Sequence, residues 1–220
     1  MIITAVEPQK KRKDRYNILV DGKFWCGLSG NTLVKYSLYP DKNVDEFSLD
    51  DIFRFEIFNK IYNASIGKIS RRPHSVWEIE NYIENKFWKN KVKRFNGTKY
   101  SERFEELRDK TKEMVLQKLE KSKYLNDKDF AEWWINSRKS SRPKGWIAIK
   151  SELTSKGVSK EILDSLKFSS KDEISLAEKY YKKVTKTRNL SSKKLISRMS
   201  SRGFSWDTIQ TILKKYEVEY

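Results

Sequence analysis

The sequence predicts a mainly α-helical protein: tandem three-helix repeats in an elongated array, preceded by a small N-terminal β-hairpin. Three observations carry this expectation. Glycine (8) and proline (4) are scarce among 220 residues, so irregular connections are few and short. Near residue 48 the apolar spacing changes from a period of two to one of about three and a half. The second half of the chain superposes on itself with a shift of 46 residues, the mark of an array.

The elements follow in order. Tyr16-Asn17-Ile18-Leu19-Val20 alternates apolar and polar side chains, and Lys23 to Leu28 answers it across Asp21-Gly22. Asp-Gly suits a type I′ turn, which needs positive φ at both central residues, so a hairpin is expected, with Ile2–Val6 as an added edge strand. Ser48-x-x-Asp51 reads as a helix start. The helix behind it carries Ile52, Phe55, Phe58, Tyr62 and Ile66, with Phe53, Ile57 and Ile61 on an adjoining stripe. Ser75-x-x-Glu78 opens a second helix, with Val76, Ile79, Ile83 and Phe87 inward. A third helix follows Gly97, through Phe104, Leu107, Thr111, Val115 and Leu119.

The shift of 46 sets Phe130 on Leu176, Ala131 on Ala177, Trp134 on Tyr180, Ile149 on Leu195, Leu153 on Met199 and Leu163 on Ile209. Gly157 falls on Gly203, each behind Lys or Arg, where a helix ending in the left-handed conformation wants glycine. Ser159 falls on Ser205 as the next N-cap. The block before residue 126 fits more loosely, Ile79 and Ile83 matching Ile149 and Leu153. The expected division is 1–47 (hairpin region), 48–125 (first unit, with an insertion near 88–112), 126–170 and 171–220.

The chain carries 47 Lys+Arg against 30 Asp+Glu, a net charge of +17. Residues 1–66 contribute only +1 of it. Such an excess calls for an anionic partner: nucleic acid, a protein–nucleic-acid complex or a membrane surface. The basic residues gather at Arg71 and Arg72, at Lys89, Lys91, Lys93 and Arg94, and at Arg138, Lys139, Arg142 and Lys144. Further clusters are Lys182, Lys183, Lys186 and Arg188, then Lys193, Lys194, Arg198 and Arg202. What recurs is a basic connection between the first and second helices of a unit, suited to a periodic polyanion. Each cluster reads equally well as a solvated face. Among the aromatics, Trp134 is expected in the core, and Trp133 and Trp206 are the candidates for stacking.

Chemistry is not expected. His74 beside Ser75 is no triad, because an orienting acid must be supplied in space, and Ser75 serves as a cap. Cys26 has no companion at metal-ligand spacing, and no phosphate-binding G-x-x-x-x-G-K-[ST] occurs. No enzyme, no metal and no cofactor follow. One cysteine and no apolar N-terminal run point to the cytoplasm, with no membrane association.

Leu125-Asn126-Asp127-Lys128-Asp129-Phe130-Ala131 resembles the central Leu-Asp-Asp-x-x-Phe-Ala pattern of the RecX family, bacterial regulators of the RecA recombinase. Arg72-x-x-Ser75-x-x-Glu78, then Gly145 followed by Glu152-Leu153-x-x-Lys156-Gly157-Val158, and the closing Arg202-Gly203-Phe204 are similar to that family's further motifs, in the same order. Asn126 stands where the family has the first of two acids and caps a helix equally well. The resemblance spans nearly the whole chain. It implies an elongated, curved array acting as a monomer, which binds the RecA–DNA filament and contacts single- or double-stranded DNA backbone. It further implies modulation of the filament by blocking its growth or promoting its disassembly, inhibiting ATPase, strand exchange and SOS co-protease activity. The candidate contacts are Arg71, Arg72, Lys91, Lys93, Arg94, Arg138, Lys139, Arg142, Lys144, Lys186, Arg188, Arg198 and Arg202. Leu125, Asn126, Asp127, Phe130, Ala131, Gly157 and Gly203 are expected to be structural. A stand-alone DNA-binding helical module is the alternative.

Overall fold

The computed structural model describes residues 1–94, 104–186 and 190–218, and the side chains of all these except 88–94 and 104. The protein is mostly helical, with a small N-terminal sheet. It divides into two compact units, residues 1–68 with 82–118, and residues 69–81 with 119–220.

The first unit opens with β1 (Ile3–Pro8), β2 (Arg15–Val20) and β3 (Lys23–Ser29), an antiparallel sheet in that order. Asp21 and Gly22 take φ of 47° and 76°, the mirror-image turn expected of Asp-Gly. The hairpin thus gains β1 as a third strand, Ile3 opposite Val20 and Pro8 opposite Tyr16. Ile3, Ile18, Val20 and Leu28 form its buried face, with Leu38, Leu49 and Ile52. Those last residues come from the segment after α1 (Gly30–Tyr36) and from α2 (Glu46–Ile69).

The sheet is tied to α2 by a buried carboxylate. Glu56 takes a hydrogen bond from Arg15 Nη1 at 2.8 Å, from Thr32 Oγ1 at 2.6 Å and from the backbone and hydroxyl of Ser29. A buried charge is tolerable only when so paired. The expected start of α2 at Ser48 is corrected: the helix begins at Glu46, and Asp45 Oδ1 accepts the Ser48 N–H at 2.6 Å. An aspartate three residues earlier caps as well as serine and adds negative charge to the helix N-terminus.

Two helices complete this unit. Within α3 (Val76–Arg94) and α4 (Phe104–Lys121), Glu84 accepts from Lys112 at 2.8 Å. Lys118 lies 4.4 Å from the ring centroid of Tyr62, which stacks on Phe58.

The second unit holds two similar three-helix groups. In the first, α5 (Asp127–Ser140), α6 (Trp146–Ser155) and α7 (Lys160–Ser165) enclose Phe130, Ala131, Ile135, Ile149, Leu153, Val158 and Leu163. In the second, α8 (Ser170–Thr185), α9 (Ser192–Ser201) and α10 (Trp206–Lys215) enclose Leu176, Ala177, Tyr180, Leu195, Met199, Phe204 and Ile209. Residues aligned by the 46-residue shift occupy like places in the two cores. Gly157 and Gly203 take φ of +80° and +76°, and behind them Val158 N–H reaches Leu153 O and Phe204 N–H reaches Met199 O. These bonds satisfy carbonyls left over at the helix ends. Asn126, Ser159, Ser169 and Ser205 cap α5, α7, α8 and α10 through their side chains. No helix among the described residues is long and apolar enough to cross a membrane, and none of their acidic, cysteine or histidine residues cluster to hold a metal.

Candidate anion-binding groove

The basic residues are positioned by two joints within the second unit, built on one plan. At the first, the Lys156-Gly157 turn meets the start of α3. Ser75 Oγ donates to Lys156 O at 2.7 Å, and Asp127, from α5, accepts the Val76 N–H at 2.8 Å. At the second, the Arg202-Gly203 turn meets the start of α6. Gly145 N–H donates to Arg202 O at 3.0 Å, and Glu173, from α8, accepts the Trp146 N–H at 3.0 Å. In each case an acid on the first helix of one group caps the second helix of the preceding segment. Glu173 also accepts from the hydroxyls of Ser205 at 2.9 Å and Thr208 at 3.0 Å. Backbones approach closely at both joints. A Cβ on Gly157 would lie 2.5 Å from Trp77 Cβ, and one on Gly203 2.4 Å from Ala148 N.

At the first joint the cations are neutralised. Arg72 forks onto Glu78 at 2.9 and 3.0 Å, and Lys156 Nζ reaches the same carboxylate at 2.6 Å. Burial pushes the Glu78 carboxyl up, but hydrogen bonds and charge from Arg72 and Lys156 outweigh it and hold it at about 2. Lys156 also lies 4.5 Å from the Trp134 ring, and Arg72 5.9 Å from Trp133.

At the second joint lies an open groove of about 660 Å³. It is lined by Arg138, Arg142, Pro143, Lys144, Glu152, Tyr180, Lys183, Val184, Arg198 and Arg202, six cations and one carboxylate. Glu152 is engaged by Arg138 Nε at 2.8 Å, by Trp134 Nε1 at 2.8 Å and by Lys144 Nζ. Burial raises the Glu152 carboxyl, and these three donors more than reverse it, leaving it below its ordinary value. Arg142, Lys183 and Arg198 form no ion pair among the described residues. Arg202 stands 5.4 Å from the Tyr180 ring, again without a carboxylate. Four cations therefore present uncompensated charge to one concave surface.

Of the sequence candidates, Arg138, Arg142, Lys144, Arg198 and Arg202 converge here. Lys139 stands apart from that lining, bound to Asp172 at 2.7 Å, and Lys186 is exposed at the end of α8. Arg71 is exposed and Arg72 is held by Glu78 at the first joint. Lys91, Lys93 and Arg94 belong to α3 with side chains outside the description, and Arg188 lies outside the described residues. Leu125, Phe130 and Ala131 are buried. Asn126 caps α5, while Asp127 serves the neighbouring helix α3. Sequence reasoning placed Lys183 in a basic cluster without making it a candidate contact, and singled out neither Tyr180 as a groove residue nor Glu78 and Glu152 as clamps. The match of Arg72-Pro73 with Arg142-Pro143 at a shift of 70 aligns the starts of α3 and α6, but no local spacing marks these four residues.

Residues 1–45 match the family model for the regulatory protein RecX N-terminal domain, and residues 126–165 that for RecX, second three-helix domain. The chain is 29% identical over 226 residues to "Regulatory protein RecX" of Bacillus subtilis, covering 99% of this chain and 78% of that protein. It is 28% identical over 198 residues to the protein of the same name from Listeria innocua, spanning 66% of its length. Among solved structures, a crystal structure of regulatory protein RecX superposes with a TM-score of 0.63 at 21% identity, covering 97% of this chain and 98% of that one. RecX from Lactobacillus salivarius superposes with a TM-score of 0.52 at 19% identity, over 74% of this chain. Both matched stretches, the N-terminal sheet with its helix and the three-helix group that furnishes half the groove, are similar to the regulatory proteins of the RecX family, and the fold is shared with the solved RecX structures.

Proposed function

We propose that the protein binds the RecA–DNA filament and inhibits it, lowering filament growth, ATPase, strand exchange and SOS co-protease activity. In this reading it works in the cytoplasm as a monomer, without catalysis or cofactor of its own. It is organised as a hairpin region (1–47) and three-helix units at 48–125, 126–170 and 171–220. The observation that carries the reading is the groove between α5–α6 and α8–α9, where six cationic side chains face one carboxylate in a chain similar to regulatory proteins of the RecX family. A surface of that charge releases counterions from a nucleic-acid backbone and draws its affinity from them. Arg138, Arg142, Lys144, Arg198 and Arg202 are the contacts assigned to it, with Arg71, Arg72, Lys91, Lys93, Arg94, Lys139, Lys186 and Arg188 as flanking candidates.

The test is a titration of the protein into the DNA-dependent ATPase of RecA from the same organism. Suppression at substoichiometric ratios is expected. An ATPase unaffected at every ratio overturns the reading. Tight duplex binding without RecA, and no effect on RecA, favours a stand-alone DNA-binding module instead.

A further inference from the structure

The two joints differ in how their cations are paired. At a shift of 70, Arg72-Pro73 corresponds to Arg142-Pro143, Ile79 to Ile149 and Ile83 to Leu153, and the ends of α3 and α6 match as Val76 and Trp146. At a shift of 46, the Lys156-Gly157 turn corresponds to Arg202-Gly203. The cation pair Arg72 and Lys156 therefore recurs as Arg142 and Arg202. Glu78, which binds both members of the first pair, corresponds to Ala148. The second joint keeps both cations and lacks the carboxylate between them. Glu152, one turn further along α6, does not replace it, because Arg138, Lys144 and Trp134 already engage it. Arg198 stands where the 46-residue shift places the counterpart of Glu152, so a carboxylate of one group is a cation in the next.

We propose that the second joint takes its missing anion from outside: one phosphate group seats between Arg142 and Arg202, flanked by Arg198 and Lys183, and braces α6 against the Gly203 turn as Glu78 braces α3 against the Gly157 turn. Guanidinium groups suit this ligand, since their planar donors match two phosphate oxygens at once. The open groove admits either a free phosphate or a phosphodiester of a nucleic-acid backbone. Bound anion ties two helix groups together, so occupancy raises the stability of the second unit. The assignment deepens the reading of the groove as the polyanion contact and rests on it.

The test uses the full chain and inorganic phosphate, read by the phosphorus NMR line width and by the thermal unfolding midpoint, against chloride at matched ionic strength. Phosphate is expected to broaden and to raise the midpoint, and chloride to do neither. Ala148→Glu supplies the carboxylate internally and is expected to weaken phosphate binding at least about tenfold, the scale of one charge-assisted hydrogen bond. Thr154→Glu, on an exposed position of the same helix, changes the net charge equally and is expected to bind as the native chain does. Should Ala148→Glu fail to fold, Arg142→Gln with Arg202→Gln removes the pair without adding bulk, with the same expected loss. Phosphate binding retained in these variants, equal loss in Thr154→Glu, or an equal response to chloride overturns the proposal. A short oligodeoxynucleotide that displaces the phosphate identifies the backbone as the source, and an undiminished phosphate signal identifies the free ion. None of these readouts involves RecA. Phosphate binding without any effect on RecA counts against the filament reading alone, and an intact RecA effect without phosphate binding counts against this assignment alone.

Discussion

Glu78 shows how one side chain sets the electrostatics of a joint. It is held at about 2 against an ordinary 4.5 by Arg72 and Lys156, so its charged form is favoured in the folded chain. A lowered carboxyl pKa gives stability that is complete above about pH 5 and is lost as the pH falls from there towards 2. Glu78→Gln leaves two cations facing each other across a neutral amide. It is expected to cost about 1–3 kcal/mol at pH 7 in urea unfolding and to flatten the acid limb of stability between pH 5 and 2. An unchanged limb contradicts the clamp. Half of this residue's role was legible in the sequence. The Ser75-x-x-Glu78 spacing marks a helix start, and Ser75 Oγ does accept the Glu78 N–H at 3.1 Å. The carboxylate, however, turns away to Lys156, 78 residues on, and no local spacing carries that information. Asp127 is a similar case: its place beside Asn126 suggests a cap for its own helix, and it caps α3 instead.

At the scale of elements, periodicity carried the reading a long way. Two cores built from aligned apolar positions, glycine stops behind α6 and α9, and an Asp-Gly hairpin are all local consequences of residue type. Where local signals compete, the boundary moved, as at α2, whose start was set by Asp45 rather than Ser48. The joints were not legible because they depend on which helix end faces which turn. Both are sensitive to a single methyl group. At Gly203 the backbone has φ of +76° and a Cβ would lie 2.4 Å from the Ala148 nitrogen. At Gly157 φ is +80° and the Cβ would meet Trp77 Cβ at 2.5 Å. A left-handed alanine costs roughly 1–2 kcal/mol by itself, and overpacking adds about 1–3 kcal/mol. Gly203→Ala and Gly157→Ala are therefore each expected to lower unfolding stability by at least about 2 kcal/mol. Losses below half of that in urea titrations show that the turns yield and that the close approach does not hold the joints.

For the whole molecule, the net charge of +17 is a statement about partners, and its distribution narrows which surface meets them. Residues 1–66 are nearly neutral and carry the sheet, while the excess lies in the remainder. Within the second unit many cations are spent on carboxylates, among them Arg72 and Lys156 on Glu78, Arg138 and Lys144 on Glu152, and Lys139 on Asp172. Composition counts paired and unpaired cations alike, so the thirteen candidates read from sequence were too many to name a site. Subtracting the internal pairs leaves Arg142, Lys183, Arg198 and Arg202 in one groove. On the proposed reading, this groove is where the protein meets a polyanionic partner. The direct measurement is inhibition of RecA ATPase by two charge-reversed chains, one with Arg142→Glu, Arg198→Glu and Arg202→Glu, the other with exposed Lys121→Glu, Lys123→Glu and Lys128→Glu. The first is expected to need at least about tenfold more protein for half inhibition, and the second less than about threefold more. Equal shifts in the two chains, or none in the first, contradict the claim.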